Sequence, residues 1–333
     1  MKIKMNKIKT KKNSKNKRKT KKHVRFNLSH KKLQNNSLIK NLQKITDNEK
    51  SDDGFIKVQC GPKSKEENDF TCYSNESLIK LKDMWNQRHP DVLITSNDPS
   101  VIWTMLKQNL RSVCNKESCW LKQNFAKNGL DNELLHYTFA PKSPETWKKN
   151  PNEWLSSLEI ENVMKQYENE YPCFDFIGPS PIDFKSPKMY GECVWEELCH
   201  FNLKKCLQNG KNKIGIIFNT DPHYLPGSHW ISMFINTKEK YIFFFDSTGD
   251  QPPKEIKEFV KEIIQQGNTE NIKFQYIQNN KQHQKEDTEC GVYSLFMIIN
   301  ILTGTLKPND FITENFPDKE MEKFRKLYFN HDL

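Results

Sequence analysis

Along the chain the spacing of apolar residues changes period twice. Leu78, Ile79, Leu81, Met84 and Trp85 recur at helical intervals, with Ser77 as a nearby cap. A second helical stretch covers 100–110 ("SVIWTMLKQNL"). A third lies in "NEWLSSLEIENVMKQYE", where Leu158, Ile160, Val163, Met164 and Tyr167 share one face. A further helix is predicted around 192–208. Then the period shortens. "KIGIIFNTD" (213–221), "HWISMFIN" (229–236) and "KYIFFFDS" (240–247) are short runs of β-branched and aromatic residues, which predict strands. The brief link "TKEK" between the last two predicts a hairpin. "PKEIKEFVKEIIQQG" (253–267) opens on Pro and closes on Gly, as helices do. "NIKFQYIQ" (271–278) predicts one more strand, and the apolar run from Cys290 to Leu302 a helix closed by Gly304. Helices, then strands, then helices packed on them predict an α+β class.

Charge adds boundaries that periodicity does not show. The formal net charge is +10, yet residues 1–46 contain no acidic residue, the first being Asp47. A Lys-, Asn- and Ser-rich segment cannot bury enough apolar surface to offset chain entropy. The chain is therefore expected to divide into a disordered basic tail and linker (1–65), a helical N-terminal arm (66–145) and a main domain (146–333). The tail reads as a polyelectrolyte for non-specific, salt-sensitive nucleic-acid binding, or as a nuclear address at "NKRKTKKH". A merely solubilising tail is the plain alternative.

No apolar run reaches the roughly 20 residues of a spanning helix, and the N-terminus lacks the apolar stretch of a signal peptide. A non-secreted protein with no membrane partner is expected, its nine cysteines reduced. Cys114 with Cys119, or Cys193, Cys199 and Cys206, fit no zinc spacing, so neither metal nor cofactor is expected.

The candidate chemistry lies at "HQKEDTECGVYSLFMIIN" (283–300), where Cys290 sits between a polar stretch and an apolar helix. A helix N-terminus and a neighbouring His both favour a thiolate. Gly291 leaves space for a substrate backbone. His229 opens one predicted strand and Asp246 closes its hairpin partner, which brings the two side by side. His223 and His283 compete with His229, and Asp250 with Asp246; any of these groups, taken alone, reads more plainly as core or turn.

"HW" at 229–230, "DS" at 246–247 and the Gln284-to-Gly291 segment resemble the signature of the ubiquitin-like-protein-processing cysteine proteases. That group includes the SUMO-specific proteases, the adenovirus endopeptidase and the polyprotein proteases of large DNA viruses. The order His, Asp, Gln, Cys agrees, as do the 17-residue step from His229 to Asp246 and the 6-residue step from Gln284 to Cys290. "GSHW", "STGDQPP" and "EMEKFRKLYF" are similar to the viral branch.

The resemblance implies a papain-like core with Cys290 as nucleophile, His229 as base and Asp246 as orienting acid. Gln284 with the Cys290 N–H would form the oxyanion hole. Trp154 and Trp230 would clamp a side-chain-poor peptide, so that cleavage follows Gly-Gly or Ala-Gly. The implied protein is a monomeric viral protease maturing structural polyproteins, in the cytoplasmic viral factory and the virion. The alternatives are an isopeptidase for a ubiquitin-like modifier, or an inactive scaffold serving as a nucleic-acid-binding virion protein.

Overall fold

The computed structural model describes residues 54–65, 68–126 and 137–331. The basic segment 1–46, with its expected nucleic-acid role, lies outside the described residues.

A five-stranded mixed sheet carries the main domain. Its strands are β1 (Phe174–Pro181), β2 (Lys213–Asn219), β3 (Trp230–Asn236), β4 (Tyr241–Phe245) and β5 (Gln275–Gln278), in that spatial order. The central pairs β2–β3 and β3–β4 are antiparallel; β1 and β5 add to the edges in parallel. β1 was not foreseen. Pro179 and Pro181 argue against a strand, but an edge position tolerates them, and the register slips between Ile177 and Ser180.

The three central strands read as nearly continuous apolar runs because both faces are covered. Ile214, Ile216, Ile231, Met233, Ile242 and Phe244 point to one face. There they meet Ile256, Phe259 and Ile263 of the amphipathic helix Lys254–Thr269. On the other face lies the helix Cys290–Thr303, buried from Cys290 to Leu302. It approaches so closely that a Cβ on Gly215 would come within 2.9 Å of Ile298. A helix apolar on every side belongs in the centre of a domain. Its outer side is closed by the helix Asp318–Tyr328, through rings such as Phe296 and Phe324 at 4.5 Å.

In chain order the α-helices among the described residues become α1 (Asn75–Arg88), α2 (Pro99–Leu110), α3 (Ser157–Glu170), α4 (Glu196–Cys199), α5 (Leu203–Gln208), α6 (Lys254–Thr269), α7 (Cys290–Thr303), α8 (Pro308–Thr313) and α9 (Asp318–Tyr328). Ser74 caps α1, three residues ahead of the expected Ser77. α3 starts in a capping box of Ser156 and Glu159. It buries Ile160, Val163 and Met164 but turns Leu158 to solvent, 63% exposed, against the expected face. The helix expected over 192–208 is two short ones, α4 and α5.

α1 and α2 share a second core with Tyr73, Trp120 and Phe139. Residues 54–65, expected as linker, are part of it. Val58 is buried, Phe55 packs on Trp103, and the Ile56 N–H donates to the Asn115 carbonyl at 2.7 Å. The expectation of reduced cysteines is also overturned: Cys60–Cys72, Cys114–Cys119 and Cys193–Cys199 are disulfides, and Cys173, Cys206 and Cys290 are free. Folding brings these sulfurs together in a way their spacing does not announce. The buried Asn330 then joins three segments, accepting from the Gln59 N–H and donating to the carbonyls of Gln59 and Ala140.

Candidate active site

Three elements converge at one end of the sheet. His229 immediately precedes β3, Asp246 immediately follows β4, and Cys290 is the first residue of α7. The register Ser232–Phe245 sets the first two beside each other. The His229 Nε2 and Asp246 Oδ1 are 2.8 Å apart. With Nε2 engaged, the other ring nitrogen is the one left for Cys290, whose sulfur lies close enough to bear on the ring's charge. Burial works against a charge on His229. The hydrogen bonds and charges of Asp246 and Cys290 outweigh it together and raise the ring's pKa to about 10. The imidazole is thus held as an imidazolium through neutral pH.

Asp246 is itself tightly placed. Its Oδ1 also accepts from the Thr248 N–H (2.9 Å) and hydroxyl (2.8 Å). The fully buried Asn279 grips its backbone on both sides: Asp246 N–H donates to Asn279 Oδ1 at 2.9 Å, and Asn279 Nδ2 donates to the Asp246 carbonyl at 2.8 Å. Sequence reasoning missed Asn279 and Thr248. The signal was faint: a polar "QNNK" just after a strand, and a hydroxyl two residues past the acid.

Gln284 is buried near the head of α7. Its Oε1 accepts from the Ser247 hydroxyl (2.6 Å), its N–H reaches the Ser247 carbonyl (2.9 Å), and Nε2 donates to the Glu286 carbonyl (2.6 Å). An amide nitrogen carries two hydrogens, so one remains for another acceptor. The turn that brings Ser247 here needs Gly249, at φ +79°, where a Cβ would lie 2.8 Å from the Lys281 backbone.

The competitors fall elsewhere. His283 is fully buried; its Nε2 donates to the Phe311 carbonyl and its Nδ1 accepts from the Phe316 N–H, so it is a neutral structural ring. Burial pushes its pKa down to about 4. His223 pairs with Asp183 at 2.7 Å, and the exposed Asp250 lies 3.0 Å from the Thr248 hydroxyl, whose shorter contact is to Asp246.

A cleft of about 540 Å³ opens beside His229, walled by Trp154, Trp230, Trp195 and Leu225. Trp154 is 44% exposed, and Trp230 is fixed by its Nε1 donating to the Leu155 carbonyl at 2.9 Å. Gly291 does not meet the expectation. It is buried, and a Cβ there would lie 2.9 Å from the Leu155 side chain. Its missing side chain admits Leu155 rather than a substrate.

A free cysteine at the head of a buried helix, an imidazolium against it and a carboxylate behind the ring, in a mixed α+β fold, define a cysteine endopeptidase. Residues 203–332 match the model of the Ulp1 protease family, C-terminal catalytic domain, a span that includes His229, Asp246, Gln284 and Cys290. Over that span the chain is similar to the catalytic domain of that family. It is 29% identical to a thiol protease of Acanthamoeba polyphaga mimivirus over 300 residues, covering 82% of this chain and 93% of that one. It is 28% identical to a cysteine protease of African swine fever virus over 236 residues, covering 65% of this chain and 83% of the other. The crystal structure of the African swine fever virus protease superposes with a TM-score of 0.55 over 82% of this chain and 96% of that chain, at 20% identity, and so shares the fold.

Proposed function

We propose that this endopeptidase cuts extended peptides after small residues, Gly-Gly or Ala-Gly, and that its substrates are structural polyproteins of a large DNA virus. The observation that carries the reading is the 2.8 Å His229–Asp246 pair beside the free Cys290, with His229 lining a cleft walled by tryptophans. The viral origin of the relatives supports the substrate class. Residues with little side chain suit a passage between Trp154 and Trp230.

In the proposed cycle the Cys290 thiolate attacks the scissile carbonyl carbon and the C–S bond forms. The oxygen takes the negative charge and is met by the Cys290 N–H and the remaining Gln284 Nε2 hydrogen. The C–N bond breaks as the His229 imidazolium gives its proton to the leaving amine. Water then attacks the thioester, its proton passing to His229, and the acid product leaves Cys290 free. Asp246 holds the ring's orientation and charge throughout. The proposed setting is the cytoplasmic viral factory and the virion, with the basic tail tethering the enzyme to packaged genome.

A second reading, removal of a ubiquitin-like modifier, is favoured by the name of an African swine fever virus relative, a SUMO-1 cysteine protease. Parallel assays of a fluorogenic Gly-Gly-X peptide and a SUMO–fluorophore conjugate test both. The polyprotein reading expects the short peptide to be cut by the wild type and not by Cys290→Ala. Turnover of the conjugate alone would overturn it in favour of the second, and cleavage by Cys290→Ala would overturn both.

A further inference from the structure

Beside the cleft, the segment 184–200 holds a second cluster of chemically capable side chains. Residues 184–195 form a narrow loop closed by paired backbone bonds: Val194 N–H to the Ser186 carbonyl (3.0 Å), Trp195 N–H to Phe184 (3.0 Å) and Lys188 N–H to Glu192 (2.6 Å). Lys188, Val194 and Trp195 from this loop line the cleft. Cys193 stands at the root of the loop, and its N–H donates to Glu196 Oε1 at 2.7 Å. α4 follows at once, ending on Cys199, with His200 as its C-cap. The sulfurs of Cys193 and Cys199 and a ring nitrogen of His200 all lie within 4.8 Å of one another. Two thiolates and an imidazole at that spacing are a donor set for a soft or borderline divalent cation. The Glu196 carboxylate is 3.2 Å from His200 Nε2, the kind of acid that commonly backs a metal-bound histidine. Sequence spacing failed to suggest this because the donors fall within eight residues and use a helix C-terminus, unlike the usual Cys-x-x-Cys knuckle.

We propose that Cys193, Cys199 and His200 form a redox-gated site for a zinc-class divalent cation. In the oxidised form described here the two sulfurs are joined and cannot bind it. Opening the S–S bond takes two electrons and two protons from a dithiol reductant, whose own sulfurs pair. The cation then displaces two protons from the thiols, forms two metal–sulfur bonds and one metal–nitrogen bond, and takes water in the fourth position. Either state pins the loop root to α4 and so fixes the Lys188–Trp195 side of the cleft. The reduced, metal-free state releases it.

The test is cobalt(II) titration of the full chain carrying Cys290→Ala, which removes the catalytic thiol as a competing ligand, after reduction by a phosphine. One equivalent should bind, with thiolate-to-cobalt charge-transfer absorption and the intense visible bands of a tetrahedral centre. Cys193→Ser should abolish the signal. His200→Ala, at an exposed position, should weaken affinity at least about tenfold with the denaturation midpoint unchanged. Unreduced protein should give none. Zinc should displace the cobalt stoichiometrically. A reduced protein without the absorption, or a spectrum unchanged by both substitutions, would overturn the proposal. The latter outcome would assign the cobalt to another cysteine pair.

Discussion

Arg325 braces the residue before Cys290 without touching the site's chemistry. It reaches from α9 to Glu289, the residue just before Cys290, with Nε 3.1 Å from one carboxylate oxygen and Nη2 3.0 Å from the other. Both side chains are buried, at 4% and 1% exposure. Nη1 also donates to the Glu153 carbonyl at 2.7 Å, next to the cleft residue Trp154, and the guanidinium lies 4.5 Å over Trp147. Arg325→Met would leave a carboxylate without its counter-ion. Burial already pushes Glu289 above its ordinary 4.5, opposed chiefly by Arg325. Without the Arg the cheapest response is protonation. At pH 7.5 that costs about 4 kcal/mol, three units at about 1.36 kcal/mol each. At pH 5.5 it costs about 1.4 kcal/mol.

The sign follows from the raised folded pKa. The variant's deficit is smallest below 4.5 and grows as pH rises, until the folded-state carboxyl itself ionises. Urea denaturation should therefore show a loss of about 3–5 kcal/mol at pH 7.5, shrinking by about 2 kcal/mol or more at pH 5.5. Glu289→Gln combined with Arg325→Met should recover at least half of the loss at pH 7.5. A pH-independent loss, or one below about 1 kcal/mol at pH 7.5, would refute the reasoning.

Other predictions follow from the same geometry. Asp246→Asn keeps an acceptor for His229 Nε2 but removes its charge. The alkaline limb of kcat/KM, set by His229 near pH 10 in the wild type, should move down by at least about one unit. An unmoved limb in a pH–rate profile would deny Asp246 its role. His283 remains neutral when folded, so stability should be full above about 6.5 and fall by about 3 kcal/mol as pH drops through 4. Denaturation midpoints across that window check this, and His283→Gln should flatten the curve. Gly291→Ala should cost about 1–3 kcal/mol through its clash with Leu155, 2.9 Å away, whereas an equally stable variant would return Gly291 to the substrate.

The parts of the fold legible in the sequence were those whose burial is extreme. β2, β3 and β4 are covered on both faces and α7 on all sides, so their residues are mostly apolar, broken only by buried polar residues such as Ser232, Ser294 and Asn300, and the His229–Asp246 approach follows from their hairpin. What escaped was set by distant partners. β1 hides behind its prolines, tolerated only because it lies at an edge. Residues 54–65 look like linker until the arm core and the Cys60–Cys72 bond receive them. Gly291 sits in a reactive-looking sequence, yet Leu155, 136 positions earlier in the chain, decides what fills the space beside it. Asn279 is a single amide in a polar run, and only the closed fold shows it gripping Asp246.

The central claim is that Cys290 is the nucleophile, with His229 and Gln284 serving it. It is tested most directly by mass spectrometry of the full chain after exposure to a Gly-Gly peptide bearing a thiol-reactive vinyl ester. The account predicts one adduct per chain, mapped to Cys290, lost in Cys290→Ala and slowed at least about a hundredfold in His229→Ala. An adduct on Cys173 or Cys206 instead, or labelling of Cys290 at the same rate without His229, would contradict it.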